Sequence, residues 1–154
     1  MYQKILVPID GSPTSSRGLQ EAIKLAKLTG ARLRLMHVVD SISFAAGMEA
    51  SMMVTNEMLG LMRESGEKLL AKAHAKVEKA GLRVDTVLID NMAGRVCDLV
   101  VAQAKAWHAG LIVVGTHGRR GVGRMLLGSD AEMITRLATM PVLLVRSAEA
   151  PAAD

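Results

Sequence analysis

Residues 111–129 read LIVVGTHGRRGVGRMLLGS. Leu111, Ile112, Val113 and Val114 are all apolar, and three of the four are β-branched. That is the composition of a strand covered on both faces, as in a parallel sheet. At Gly115 the pattern breaks into a loop rich in glycine and arginine. At Gly128 and Ser129 it passes to Asp130, Ala131 and Glu132, at the head of a helical run. Such a layout aims backbone N–H groups at an anion, because the first N–H groups of a helix have no partner inside the helix. The stretch predicts a parallel α/β domain with a cradle for the phosphates of a nucleotide.

The chain on either side repeats the alternation. Residues 4–9, KILVPI, are a short apolar strand ending in the turn cluster Asp10-Gly11-Ser12-Pro13. Ser12 or Thr14 is placed to cap the next helix, with Pro13 at an early helical position. Leu19, Ala22, Ile23, Ala26 and Leu28 recur at helical spacing, and Gly30 closes that helix. Residues 32–39 form a second strand. Residues 40–56 read as a long connection with a helical turn, and loops of that length in compact domains are usually functional or mobile. Residues 57–80 form a strong amphipathic helix stopped by Gly81. Residues 83–89 are a third strand, 93–108 a helix ended by Gly110, 111–114 a fourth strand, 129–138 a helix, and 141–146 a fifth strand. Five strands alternating with four helices predict one open parallel sheet, Rossmann-like, with helices on both faces. The domain spans residues 1–146, and 147–154 are a flexible Ala/Pro tail.

Composition narrows the function classes. The 154 residues suit one domain, and 50% are hydrophobic, so the chain is not a disordered one. No apolar run approaches a membrane span, and no signal region precedes the first strand, so the expected address is cytoplasmic. A single cysteine, Cys97, has no internal disulfide partner and sits in a helical pattern among apolar residues, as a buried, inert thiol does. Net charge is +4, with Arg119, Arg120 and Arg124 concentrated in the glycine loop. That focus favours a small anion over a long polyanion. Aromatic content of 2% offers no stacking platform for single-stranded nucleic acid. Of the eleven methionines, Met48, Met52, Met53, Met58 and Met62 cluster, as core filler or as a lid or partner surface.

Two common phosphate motifs fail on this loop. Residues 118–125 have the glycine spacing of a P-loop, but Arg124 stands where lysine is needed and Met125 where a Mg²⁺-binding hydroxyl is needed. A dinucleotide fingerprint lacks its third glycine at Leu126. The spacing G-x2-G-x9-G-(S/T), filled by Gly115, Gly118, Gly128 and Ser129, instead resembles the ATP-binding signature of the universal stress protein family. The opening KILVPIDGS resembles that family's first strand and acidic turn, LRLMHVVD its second strand, and PVLLVR its last. The resemblance covers Tyr2 to Arg146.

This resemblance implies strand order 3-2-1-4-5 and a homodimer joined through the last strand, between Val142 and Arg146. It implies ATP as ligand, with or without Mg²⁺. Asp10 would then lie near adenine and ribose, Val38 would meet adenine through its backbone, and Pro8 and Ile9 would line the base pocket. Gly115, Gly118, Gly128 and Ser129 would surround ribose and phosphates, with Thr116, His117 and Arg119 along the loop. The residue chemistry agrees: a carboxylate accepts from ribose hydroxyls or an amino group, and glycine amides with a helix N-terminus suit phosphate. Ser129 is placed both to cap its helix and to offer a hydroxyl. Asp130 and Ala131 depart from the pattern, where many members carry a small or apolar residue and then a hydroxyl. Asp130 suits the positive end of a helix facing outward, or a divalent cation bridging to phosphate.

His117 is the histidine nearest the expected ligand and has no evident partner for general-base work. His37 reads as a core or edge histidine, His74 and His108 as exposed helical ones. No Cys/His spacing points to zinc. The expected function is a stress-response protein that binds ATP or another adenine nucleotide and acts as a switch or interaction protein toward an unidentified protein partner, not an enzyme. Two alternatives stay open. One is an ATP-hydrolysing enzyme of similar fold, to which Asp10-Gly11-Ser12 is distantly similar. The other is an ATP-independent, chaperone-like interaction protein.

Overall fold

The computed structural model describes residues 2–47, 55–91, 93–116 and 128–146. The elements are β1 (Lys4–Pro8), α1 (Pro13–Thr29), β2 (Arg32–Asp40), α2 (Ser41–Ala46), α3 (Asn56–Lys79), β3 (Val84–Asn91), α4 (Val96–Ala106), β4 (Leu111–Gly115), α5 (Ser129–Leu137) and β5 (Val142–Val145). The strands form one sheet in the order β3-β2-β1-β4-β5, with every pairing parallel. This is the order 3-2-1-4-5 expected above. It reverses between β1 and β4, the point at which open α/β sheets bind ligands beyond their carboxyl ends.

The central strand shows why the fold is stable. Ile5, Leu6 and Val7 are each 0% exposed, so β1 is covered on both faces. On one face Ile5, Val7, Leu33, Leu35 and Val113 pack with Leu19 and Ala26 of α1 and with Leu70 and Val77 of α3. On the other, Leu6, Met36 and Ile112 pack with Cys97 and Val100 of α4 and Ile134 of α5. Each fully buried Leu or Ile side chain contributes about 1.5–3 kcal/mol. Small residues such as Ala26, Ala73 and Ala104 let the helix backbones lie close to the sheet.

Several boundaries moved for identifiable reasons. The connection expected over 40–56 contains a short helix, α2, which starts because the Asp40 side chain accepts from Ser43 N at 3.2 Å. Strand β3 runs on to Asn91 because β2 remains alongside it, with Asp40 in register with Asn91. Helix α4 starts at Val96, not at 93, after Gly94 has taken φ 104°. It ends at Ala106, so His108 is not helical as expected; it is an exposed residue at φ 55°. The tail 147–154 and Met48, Met52 and Met53 lie outside the described residues. Met58 and Met62 lie half-buried on α3. Among the described residues no helix is long and apolar enough to cross a membrane.

The amino edge of the sheet carries a cluster of paired polar side chains, beside a cavity of about 500 Å³ lined by Tyr2, Gln3, Lys4, His108 and Gly110. Trp107, 8% exposed, lies with its ring 4.5 Å from the Arg34 guanidinium, and its carbonyl accepts from Lys4 Nζ at 3.1 Å. Arg34 and Arg32 both pair with Asp85, Arg32 at 2.6 Å. The reversal of strand order directs the search for ligand chemistry to the opposite, carboxyl edge.

Candidate functional site

Three chain segments meet at that edge. The first follows β1. Pro8 ends the strand half-buried, and Ile9 is 5% exposed. Ile9 is held on both backbone atoms: its N–H donates to Met36 O at 2.7 Å, and its carbonyl accepts from His37 Nδ1 at 2.6 Å. Asp10 then turns the chain, with its Oδ1 accepting from Ser12 N at 2.8 Å. Gly11 between them has φ 84°, a conformation that glycine adopts without steric cost. Ser12, not Thr14, caps α1: its Oγ accepts from Ser15 N at 3.1 Å and lies 3.1 Å from Thr14 Oγ1. Pro13 follows at the first helical position.

The second segment is the end of β2. Met36 is its last residue in register with β1, opposite Pro8, so Val38 lies beyond the reach of that pairing. On its other side Val38 is in register with Ile89. Val38 is half-buried. His37 is 8% exposed, as expected of a core histidine.

The third segment leads out of β4 and into α5. Thr116 is 2% exposed; its N–H donates to Val145 O at 2.9 Å. Its carbonyl accepts from Gly128 N at 2.6 Å, which ties together the two ends of the glycine-rich stretch. His117, Gly118 and Arg119, and with them Arg120 and Arg124, lie outside the described residues. Gly128 is the N-cap of α5, and among the described residues no side-chain bond caps that helix. Ser129 is therefore not the cap it was expected to be. It is the first helical residue, and it is exposed. Asp130 is exposed on the first turn, whereas Ala131 is 4% exposed in the core layer beneath α5. Helices α1, α2 and α3 have side-chain caps, from Ser12, Asp40 and Thr55, whereas α4, like α5, has none among the described residues.

Gly115 has a role that loop spacing does not reveal. A Cβ there would sit 2.7 Å from Thr14 C, 2.8 Å from Thr14 O and 2.9 Å from Ser15 N. A Cβ on Gly18 would in turn lie 3.5 Å from Gly115 N. The two glycines let the first turns of α1 close directly onto the end of β4. Gly115 thus brings the Asp10 turn and the Thr116 segment together.

Sequence reasoning missed two features of this edge. Ser12, Thr14, Ser15 and Thr116 are all buried hydroxyls, at 6%, 5%, 5% and 2% exposure. Ser and Thr are mostly surface residues, so although Ser12, Thr14 and Thr116 stand out by position, nothing in the pattern marks the burial of the four or the part of Ser15. The other feature is Asn91, 2% exposed. Its Nδ2 donates to Asp40 Oδ1 at 3.2 Å and to Gly94 O at 3.3 Å, which fixes the amide's orientation. Its Oδ1 has no hydrogen-bond partner. Asn91 thereby ties the ends of β2 and β3 together beside Val38.

Cys97 lies on the far face, 1% exposed. Burial first, and then the nearby Asp98 carboxylate, push its thiol above the ordinary range. That disfavours the thiolate and makes the residue inert. Among the described residues no group of three or more His, Cys, Asp or Glu side chains is arranged to hold a metal ion.

Comparison with known proteins agrees with this geometry. The model of the universal stress protein family matches residues 1–146. The chain is 35% identical to universal stress protein MJ0531 of Methanocaldococcus jannaschii over 147 residues, covering 95% of this chain and 83% of that one. It is 32% identical to universal stress protein YxiE of Bacillus subtilis, covering 95% of this chain and all 100% of the other. A crystal structure from the same family in Burkholderia pseudomallei superposes with TM-score 0.76 at 30% identity, over 95% of this chain and 97% of that one. Two more distant structures share the fold. One universal stress protein, in complex with cAMP, has TM-score 0.64 at 23% identity and covers 96% and 98% of the two chains. Another, from Archaeoglobus fulgidus in complex with dAMP, has TM-score 0.67 at 22% identity and covers 94% and 98%.

Proposed function

The chain belongs to the universal stress protein family, and from that premise we propose that it binds an adenine nucleotide, ATP above all, at the carboxyl edge of its sheet. The observation that carries this reading is the convergence there of the Asp10 turn, the end of β2 at Val38, and the Thr116–Gly128 closure that leads into α5. Relatives of the same fold that were solved with cAMP and dAMP support an adenine ligand.

The residues fit such a group. The Asp10 carboxylate, held beside the Gly11 turn, is an acceptor for ribose hydroxyls. Pro8, Ile9 and Val38 offer an apolar border for a base. The first N–H groups of α5 are not taken by a side-chain cap, and a helix N-terminus of that kind favours phosphate. Gly128 and Ser129 stand at that terminus, with Gly118, His117 and Arg119 in the adjoining sequence. The exposed Asp130 is the position at which a Mg²⁺ accompanying the phosphates would find a carboxylate.

The protein then acts as a cytoplasmic stress-response switch or interaction protein, not as an enzyme. Nucleotide biases its conformations only by as much as it binds one of them better. Dimerisation runs through β5. Among the described residues this strand pairs only with β4, and it has Leu143 37% exposed.

Native mass spectrometry of freshly purified protein tests the reading directly, since it weighs bound nucleotide and subunits together. Calorimetry with ATP on the wild type and on Gly118→Trp completes it. An adenine nucleotide of one per subunit, with affinity abolished in the folded variant, is expected. No copurified nucleotide and no heat with ATP, ADP or AMP would refute it, and so would unchanged affinity in the variant.

A further inference from the structure

The proposed site has a feature that its ligand contacts do not explain. At the end of β1, the next rung toward β2 is made by a side chain. Met36 O takes the Ile9 N–H at 2.7 Å, and then the His37 imidazole, not a backbone amide, takes the Ile9 carbonyl at 2.6 Å. A carbonyl can only accept, so Nδ1 carries the proton. The two peptide groups that flank Ile9 are therefore each held, the Ile9–Asp10 one by His37, immediately before the turn closed by Ser12 N on Asp10 Oδ1 at 2.8 Å.

The fold makes room for this clamp at a cost to a helix. Gly66 lies within α3, where glycine is less favourable than alanine by about 1 kcal/mol. A Cβ there would sit 2.6 Å from His37 Cδ2, 3.2 Å from its Nε2 and 3.0 Å from Leu88 Cδ1. The ring occupies the space that a side chain of α3 would otherwise fill. Hydrophobic packing alone does not account for a histidine here, because the neighbouring inward positions of β2 are Leu33 and Leu35, both 0% exposed.

We propose that His37 is a positioning residue for the nucleotide site. Through Nδ1–H it sets the direction in which the chain leaves β1, and so aims the Asp10 carboxylate at the ligand. Gly66 of α3 keeps the ring in place. The assignment rests on the nucleotide reading for its ligand, but not for the clamp.

Two polar substitutions separate the clamp from mere packing. In His37→Asn the side-chain N–H₂ reaches the place of Nδ1, whereas in His37→Gln it reaches the place of Nε2. Both remove the ring. Hydrogen exchange of the Ser12 amide, followed by NMR, reports the Asp10 turn without any ligand. It should quicken about tenfold in His37→Gln relative to wild type and stay near wild type in His37→Asn. ATP affinity should follow the same order, with thermal midpoints lowered alike in both. Equal Ser12 exchange in the two variants would overturn the assignment to His37. So would an Nε2–H tautomer in the imidazole nitrogen NMR of the wild type, a measurement that does not depend on either variant folding. Wild-type protein that binds no adenine nucleotide would overturn the parent reading and the ligand half of this one, while Ser12 exchange would still judge the clamp.

Discussion

Gly115 shows how much a single missing side chain can hold together. The backbone of Thr14 and Ser15 occupies the space its Cβ would need, at 2.7 to 2.9 Å, and backbone cannot swing aside as a side-chain tip can. Gly115→Ala should therefore destabilise the protein by about 1–3 kcal/mol, read as a lower urea midpoint. An unchanged midpoint would mean that α1 does not sit on β4 as described. Cys97 makes the opposite kind of prediction. A 1% exposed thiol with a raised pKa should resist labelling by a disulfide reagent at neutral pH until the protein is unfolded. The sign for stability follows from the same shift. The folded state favours the neutral thiol, so this contribution is fully present below the ordinary value of 9.0 and is lost as pH rises through the raised one. Urea midpoints should accordingly fall less steeply at alkaline pH in Cys97→Ala than in the wild type.

Helix α3 carries two glycines that the sequence pattern cannot tell apart. Gly60 is exposed, with nothing within 4 Å of a Cβ built on it. Gly66 faces a His37 ring pinned to the Ile9 carbonyl. The same substitution should have opposite signs at the two positions. Gly60→Ala should stabilise by about 0.5–1 kcal/mol through helix propensity. Gly66→Ala should destabilise by about 1–2 kcal/mol net, because the strain exceeds that gain. Thermal unfolding of both variants checks the pair; stabilisation by Gly66→Ala would show that the ring is free to move. Among the described residues helix α5, like α4, starts without a side-chain cap on its N-cap residue. It begins on Gly128, and its first turn carries Asp130 and Glu132. Those charges are favourable at the positive end of the helix dipole.

The two edges of the sheet divide the labour of the molecule. At the amino edge, Arg32, Arg34, Asp85, Lys4 and Trp107 satisfy one another. At the carboxyl edge, glycines and hydroxyls gather where the strand order reverses between β1 and β4, and a buried amide oxygen, Asn91 Oδ1, lies two strands away at the end of β3. A third boundary, the open side of β5, carries the proposed dimer. Unpaired edges with exposed apolar residues invite another chain. Leu143→Lys should therefore weaken self-association at least about tenfold in sedimentation experiments while leaving the unfolding transition cooperative. A dimer of undiminished strength would place the contact elsewhere.

The parallel sheet was legible in the residues because a strand covered on both faces must be apolar throughout, as Leu111 to Val114 are, and because Gly30 and Gly81 stop helices by local geometry alone. The spacing of Gly115, Gly118, Gly128 and Ser129 was legible as a resemblance along the chain, and the proposed nucleotide site rests on it. Relations across the chain were not legible. Nothing near Gly115 in sequence shows that Thr14 lies against it, and nothing near Gly66 shows the His37 ring. The cap of α5 fell on Gly128 and not on Ser129 because the bond from Gly128 N to Thr116 O fixes where the helix can begin. The third strand, expected to stop at residue 89, runs on to Asn91 because β2 and β3 stay paired as far as Asp40. Local backbone preference and hydrophobic period are written residue by residue. Which buried polar group meets which depends on close packing between segments far apart in the chain, and that exists only once the chain has folded.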